Sequence, residues 1–359
     1  MTVVFYMNCV SAHQLPLARE VAKLVVCNQC LEDGESGFLY VDAGVGGQPM
    51  QTLKASDDLG VKVAKIDTDE AREAVETWDV VVTGLRDLEL IERRESKGLR
   101  TFYYSERWFK PIEIRLKSFG LRFYLPGWIR MFIPSYRRMA KRFVRWSNTV
   151  PGARVLAIGP WAKKDFIRMG VSPGKIYPWG YFVEPGCTAP FKKSDSATLR
   201  LLWCGRLLDW KCVGDVVRAV VEYVGLKSKG ISLTIAGDGP ERVRLVKIAQ
   251  GFPITFMPSQ PMGKIRELMR THDTLVLASN ACEGWGAVVS EALEEGMNVI
   301  GTYEAGASAA ILPRERLYHA GDVNALALLL EKEYNNELPQ CSIGEWTAKN
   351  AAKRLMEMI

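Results

Sequence analysis

The chain has 359 residues, 48% hydrophobic and 25% charged, the balance of a folded protein with room for two cores rather than of a disordered or fibrous one. Its longest apolar runs are strand-sized, well short of the ~20 residues a membrane-spanning helix needs. The start, MTVVFYMNCVSAHQ, reads as a first strand, not a secretory signal, and the net charge of +6 hides a strong asymmetry. Residues 107–145 hold eleven Lys and Arg against one Glu, so the rest of the chain is net acidic.

Short β-rich runs alternate with amphipathic segments from the first residues onward. Val3–Asn8 is a predicted strand and LPLAREVAKLVV a helix; Phe38–Gly44 is a strand and DTDEAREAVETW a helix with an acidic first turn. Asp79–Gly84 is a strand followed by a charged helix to Lys97, and Arg100–Glu106 and Arg154–Gly159 are further strands. Such alternation predicts parallel strands covered on both faces. Between Pro185 and Ala197 the pattern breaks into the polar, turn-forming PGCTAPFKKSDSA.

A second series then begins. Leu199–Gly205 leads to a helix over 213–227, and ISLTIAGDGP is a strand and turn before the helix ERVRLVKIAQ. ITFMP, DTLVLAS and MNVIGT are strands, and SIGEWTAKNAAKRLMEMI closes the chain as an amphipathic helix. The expectation is an α/β protein of two doubly wound, Rossmann-like domains facing across a cleft. They would span 1–190 and 191–340, with 341–359 a terminal helix able to pack back on the first domain. Eight cysteines are scattered, and the only close pair, Cys27 and Cys30, lacks the second pair a zinc site needs. Reduced thiols in a cytosol are expected.

In open α/β sheets ligands bind beyond the carboxyl ends of the strands, and three motifs stand there. ACEGWGAVVSEALEEG sets Glu283 and Glu291 eight positions apart, with Gly284, Trp285 and Gly286 between them. Two carboxylates about 12 Å apart along a helix could each grip a vicinal diol, one on a hexose and one on a ribose. The glycines would admit backbone amides to a pyrophosphate at the helix start. A helix N-terminus with one favourable and one exposed Glu explains the same residues. Arg206 and Lys211, after the strand ending at Gly205, could neutralise a diphosphate or form a surface pair. Gly237–Pro240 reads as a structural turn. Asp67–Asp69 reads as a helix start capped by Asp67 or Thr68 rather than a metal motif.

In this order and spacing the three pieces resemble the retaining GT-B glycosyltransferases of family four, the glycosyl transferases group 1, over roughly Leu199–Gly306. The resemblance implies transfer of a hexose from a nucleotide-sugar donor to a glycan or lipid-linked acceptor with retention, in surface polysaccharide or lipopolysaccharide biosynthesis. It implies that Glu283 holds the donor sugar, Glu291 the ribose, and Arg206 and Lys211 the diphosphate. Gly205, Gly284, Trp285, Gly286 and Gly306 would line the donor. It implies no metal or other cofactor. Differences are local: Cys212 and Val213 follow Lys211 where the family has Lys-Gly, CVSAHQLP replaces a glycine-rich first loop, and YEAGASAA replaces a Gly-Gly-x-x-Glu loop. In the N-terminal domain, His13 falls in the first loop, where family members meet donor and acceptor. Glu106 falls where they place a polar residue facing the reacting sugar. Otherwise His13 is incidental, and Glu106 forms an ion pair with Arg107 or Arg86.

The segment 107–145 interleaves its cations with Trp, Phe and Tyr, the composition of a protein face on an anionic bilayer. Arg130, Arg137, Arg138, Lys141 and Arg142 are the membrane or acceptor candidates. A nucleic-acid groove has a similar composition, as has a solvated basic face over inward aromatics, but an acceptor carried on lipid favours the membrane over both. The expected place is the cytoplasm, peripheral on the inner face of the cell membrane. The rival readings are a non-catalytic membrane- or nucleic-acid-binding protein of the same fold and a GT-B-fold sugar-nucleotide epimerase.

Overall fold

A computed structural model describes residues 1–27, 37–45, 59–116, 121–186, 198–227 and 230–359. Cys30, Lys117, Cys187 and most of the 185–197 break lie outside the described residues. The chain divides into two compact units, Met1–Val183 with Glu345–Ile359, and Glu184–Gly344.

The first unit runs β1 (Val3–Met7), α1 (Leu15–Cys27), β2 (Phe38–Asp42), β3 (Val63–Lys65), α2 (Asp69–Thr77), β4 (Val80–Thr83), α3 (Leu88–Ser96) and β5 (Arg100–Ser105). It continues with the strands β6 (Ile112–Leu116) and β7 (Leu121–Leu125), then α4 (Pro134–Thr149), β8 (Arg154–Ile158), α5 (Pro160–Met169) and β9 (Ile176–Trp179). Its parallel sheet has the order β3-β2-β1-β4-β5-β8-β9, while β6 and β7 pair antiparallel on their own. Every residue of β4, VVVT, is buried, as expected of a central strand covered on both faces. Thr68 caps α2 by accepting from the Ala71 amide at 3.3 Å, which settles the role of the Asp67–Asp69 stretch.

A fully buried arginine on α3 ties β5 to the C-terminal end of α2. Arg94 of α3 donates to the carbonyls of Val75 (2.7 Å), Trp78 (2.7 Å) and Arg100 (2.9 Å) and to the Thr101 hydroxyl (3.2 Å). Burial lowers its pKa to about 10, and these acceptors replace the water it has lost.

The second unit runs β10 (Thr198–Cys204), α6 (Val213–Lys227), β11 (Gly230–Ala236), α7 (Arg242–Ile248), β12 (Ile254–Met257) and α8 (Met262–Thr271). β13 (Thr274–Leu277), α9 (Ala287–Glu294), β14 (Asn298–Thr302), α10 (Gly306–Ile311), β15 (Leu317–Tyr318) and α11 (Val323–Tyr334) follow. The strands are all parallel, in the order β12-β11-β10-β13-β14-β15. Leu201, Trp203, Leu233, Ile235, Val276 and Ile300 of the sheet pack with Val216, Val217 and Val220 of α6 and with Leu326 and Leu330 of α11.

The terminal helix α12 (Ala348–Met358) packs against α1 in the first unit. It is shorter than the sequence pattern implies, because Thr347 caps it by accepting from the Asn350 amide at 3.3 Å. Helix α7 likewise opens at Arg242, leaving Pro240 in the turn before it.

Candidate active site

In the second unit the strand order reverses between β10 and β13, so the loops after these two strands flank the crevice where open α/β sheets bind ligands. The loop after β10 starts at Gly205, whose φ of +144° suits glycine. The Gly-Asp-Gly turn after β11 braces it: a Cβ on Gly237 would stand 1.8 Å from the Gly205 carbonyl oxygen, and one on Gly239 2.5 Å from that of Leu207. The Leu207 amide donates to Asp238 O at 2.8 Å. These glycines therefore serve close backbone packing, in accord with the turn reading.

Arg206 stands exposed on this loop. A single 3-10 turn, Asp209–Lys211, then carries Lys211 toward the second loop. The Lys211 ammonium lies 4.5 Å from the Trp210 ring centroid and donates to Glu283 Oε2. The Asn280 amide donates to Trp210 O at 3.0 Å, so backbone and side chains both tie the two loops together.

Glu283 is only 8% exposed, set by a tight turn in which Asn280 accepts from the amides of Cys282 and Glu283, each at 2.9 Å. Gly284 O accepts from the Gly306 amide at 3.2 Å, and Trp285 O from Ala307 at 2.7 Å. A Cβ on Gly306 would meet Gly284 O at 2.4 Å. Gly306 thus lets the loops after β13 and β14 touch. Trp285 is buried, its indole Nε1 donating to Ser290 Oγ at 3.4 Å, so its side chain anchors the loop from within. Gly286, at φ +84°, opens α9 without a capping side chain. Helix α9 begins after it, so the eight positions from Glu283 to Glu291 are loop and then helix, and the helical estimate of their separation does not apply.

Glu291 sits in the second turn of α9 and is buried. That burial raises its pKa to about 7 against a weaker opposing pull from Arg266. At the end of β10 the Cys204 thiol is pushed up by burial and by the Glu291 charge, with Lys211 opposing. Lys211 and Glu283 are thus paired after the two strands that flank the crevice, and Glu291 and Lys211 both act on the thiol at the end of β10. The cluster offers a cation, a paired carboxylate, a titratable carboxylate and an uncapped helix start, which suits a ligand carrying both diols and anionic charge.

In the first unit the order reverses between β1 and β4. His13 lies in the turn between β1 and α1, its amide donating to Ser11 Oγ at 3.2 Å and its ring 6.1 Å from that of Tyr181. Burial pushes its imidazole below the ordinary 6.5. Glu106, just after β5, pairs with Lys110 rather than with Arg107 or Arg86. Those two are committed elsewhere, Arg107 to Asp165 at 3.6 Å and Arg86 over the Trp108 ring at 4.6 Å. The Tyr181 hydroxyl is pushed well up by burial and then by Glu106, and the Tyr104 hydroxyl donates to Gly180 O at 3.2 Å. Sequence reasoning missed Lys110, Tyr104 and Tyr181. The first was legible as the i+4 partner of Glu106; Tyr181 follows β9, a strand interrupted by Pro178.

The described part of the basic segment forms the antiparallel β6–β7 pair, a 3-10 turn over Gly127–Phe132 and α4. Trp128, Phe132 and Ile133 leave 49%, 76% and 51% of their surface in solvent, and Phe123 of β7 leaves 44%. Arg137, Arg138 and Lys141 are exposed on α4 beside them. Arg130 donates to Lys110 O at 2.8 Å, and Arg142 grips Glu92 through two bonds of 3.0 and 2.7 Å. Among the described residues no helix is long and apolar enough to cross a membrane, and no group of His, Cys, Asp or Glu could hold a metal.

Residues 190–353 match the family model described as glycosyl transferases group 1. No curated protein matches the sequence. Solved structures are similar along the whole length. One is the lipopolysaccharide outer core galactosyltransferase WaaB in its apo form, at 14% identity and a TM-score of 0.69, covering 100% of this chain and 99% of that one. Another is Anabaena Alr3699/HepE with UDP, at 15% identity and 0.64, covering 100% and 97%. The same Anabaena protein with UDP-glucose matches at 12% identity and 0.60, again covering 100% and 97%. The chain has the GT-B glycosyltransferase fold, and residues 190–353, in its C-terminal half, match the glycosyl transferases group 1 model.

Proposed function

We propose that this protein is a retaining hexosyltransferase of family four that takes its sugar from a nucleotide-sugar and works without a metal. The acceptor is a glycan or lipid-linked sugar of surface polysaccharide or lipopolysaccharide biosynthesis, met at the inner face of the cell membrane. One observation carries the reading: Lys211 bonds Glu283 across the loops after β10 and β13 at the switch point of the second unit, beside the uncapped start of α9, the helix that carries Glu291. The UDP and UDP-glucose bound by the Anabaena protein and the activity named for WaaB support a nucleotide-sugar donor and a surface-glycan acceptor.

In this scheme Glu291 accepts hydrogen bonds from the ribose diol and Glu283 from the donor sugar. Lys211 and Arg206 balance the diphosphate, with the α9 amides adding to the positive field. The bond from the anomeric carbon to the phosphate oxygen breaks, its electron pair leaving with the nucleoside diphosphate. The acceptor hydroxyl forms the new bond on the same face and passes its proton to the departing phosphate. His13, Glu106 and Tyr181 orient that hydroxyl. Trp128, Phe132 and Ile133 enter the bilayer interface, and Arg137, Arg138 and Lys141 hold its anionic headgroups.

The test is a thermal-shift panel of UDP, GDP, ADP, CMP and their common sugars on the wild type and Glu291→Ala. One nucleotide should stabilise the wild type and lose most of that effect in the variant. Absence of any shift would sink the reading. NMR of the anomeric product should show the donor's own configuration.

A further inference from the structure

At the switch point of the first unit, the loop after β4 and the start of α3 face α4 across an open cavity of about 410 Å³. It is lined by Arg86, Asp87 and Glu89 on one side and Ser135, Arg138 and Arg142 on the other, over Leu88 and Met139. Its charges are not equivalent. Asp87 is engaged as the cap of α3, accepting from the Leu90 amide at 2.9 Å, and Arg142 is neutralised by Glu92. Glu89 is exposed at the rim. Arg86 is held over Trp108 and acts on the Tyr136 hydroxyl, so its guanidinium is ordered before any ligand arrives. Arg138 has no ion-pair partner among the described residues.

We propose that this cavity binds a phosphate group of the acceptor, between the Arg86 and Arg138 guanidinium groups with the Ser135 hydroxyl. Two arginines and a hydroxyl lining one cavity match the oxygens of a phosphate mono- or diester better than a carboxylate or a neutral sugar. The placement fits the same ligand. Strands β1, β4 and β5 are neighbours, so the Arg86 loop lies between the loops that carry His13 and Glu106. Helix α4 begins one residue after the exposed Phe132–Ile133 pair, which brings the cavity to the face proposed to meet the bilayer. The inference deepens the acceptor side of the proposed function and rests on it. The phosphate could be that of a membrane lipid or of a soluble phosphorylated glycan.

The experiment compares the full chain with Arg138→Ala and Arg137→Ala, two variants of equal charge on one helix, only the first lining the cavity. Binding to phosphatidylglycerol and phosphatidylcholine vesicles is measured by sedimentation, and binding of sn-glycerol 3-phosphate by calorimetry at constant ionic strength. A general surface attraction weakens about fivefold per charge removed. Arg137→Ala should show that loss on phosphatidylglycerol, Arg138→Ala tenfold or more, and only Arg138→Ala should lose glycerol phosphate. Glycerol phosphate binding without vesicle binding would keep the site, assign it to a soluble acceptor and refute the membrane reading. Equal losses in the two variants with no glycerol phosphate binding would overturn the site while leaving the membrane reading intact. Arg138 is exposed, so its variant should melt with the wild type, and a matching melting temperature confirms that the loss is one of binding.

Discussion

A nucleotide-binding carboxylate with a pKa near neutrality makes affinity depend on pH in a way that can be worked out. In the folded chain Glu291 moves from the ordinary 4.5 to about 7 because burial disfavours its charge. At ~1.36 kcal/mol per unit, ionising it costs the empty folded protein roughly 3 kcal/mol. The folded pKa lies above the unfolded one, so this stability is fully present below about pH 4.5 and is lost as pH rises through 7. In the proposed complex a ribose diol donates to the charged form, so binding would draw Glu291 toward ionisation. About one tenth of it is ionised at pH 6 and nine tenths at pH 8. Affinity for a nucleotide-sugar should therefore rise about tenfold between these values. The intact nucleotide-sugar is the right probe, because its pyrophosphate diester holds no proton in that range, whereas a free nucleoside diphosphate does. Calorimetric titration on the wild type and Glu291→Gln measures it. The variant should bind more weakly at pH 8 with a flat profile, and its empty form should be more stable than the wild type at that pH. A flat wild-type profile, or a slope shared by both proteins, would refute the assignment of Glu291 to the ribose.

Other consequences are more direct. Lys211→Ala strands the buried Glu283 carboxylate, and a loss of 3–5 kcal/mol in denaturant unfolding is expected, with Glu283→Gln in the same chain restoring more than half of it. Gly306→Ala drives a Cβ into Gly284 O and should lower stability by ~1–3 kcal/mol and donor affinity with it, read by melting temperature and calorimetry. Arg94→Ala leaves three carbonyls of the first unit without their donor and should cost ~3–5 kcal/mol in unfolding, with the KM for the donor unchanged in the folded fraction. Trp128→Ser with Phe132→Ser should weaken vesicle binding more than tenfold while the melting temperature stays put, since both side chains stand largely in solvent.

What could be read in the sequence was whatever short-range pattern determines. Strands such as VVVT at 80–83 are buried on both faces and show as continuous apolar runs. Gly237 and Gly239 mark a turn because the chain behind them leaves no room for a Cβ. The nearness of Lys211 and Glu283 was legible for the same kind of reason, since a parallel strand delivers its following loop to one known edge of the sheet. Side-chain partners across the fold follow no such pattern. Arg316 ends a short turn that holds two arginines, yet it is fully buried and pairs with Glu333 at 2.9 Å, a carboxylate that Thr274 and Asn298 also bond. That ion pair joins the 3-10 turn Arg314–Arg316 to α11 across 17 residues of sequence, and no local signal encodes it. Trp285 errs the other way: its place between two glycines marks a ligand loop, while its side chain fills the interior. A glycine-flanked aromatic can anchor a loop instead of touching the ligand. Exposed apolar residues are the hardest to foresee, because composition cannot distinguish Phe132, 76% in solvent, from the fully buried Phe143 eleven residues later. The difference is which face of the segment meets the sheet, so the membrane reading depends on the fold and not on the count of cations.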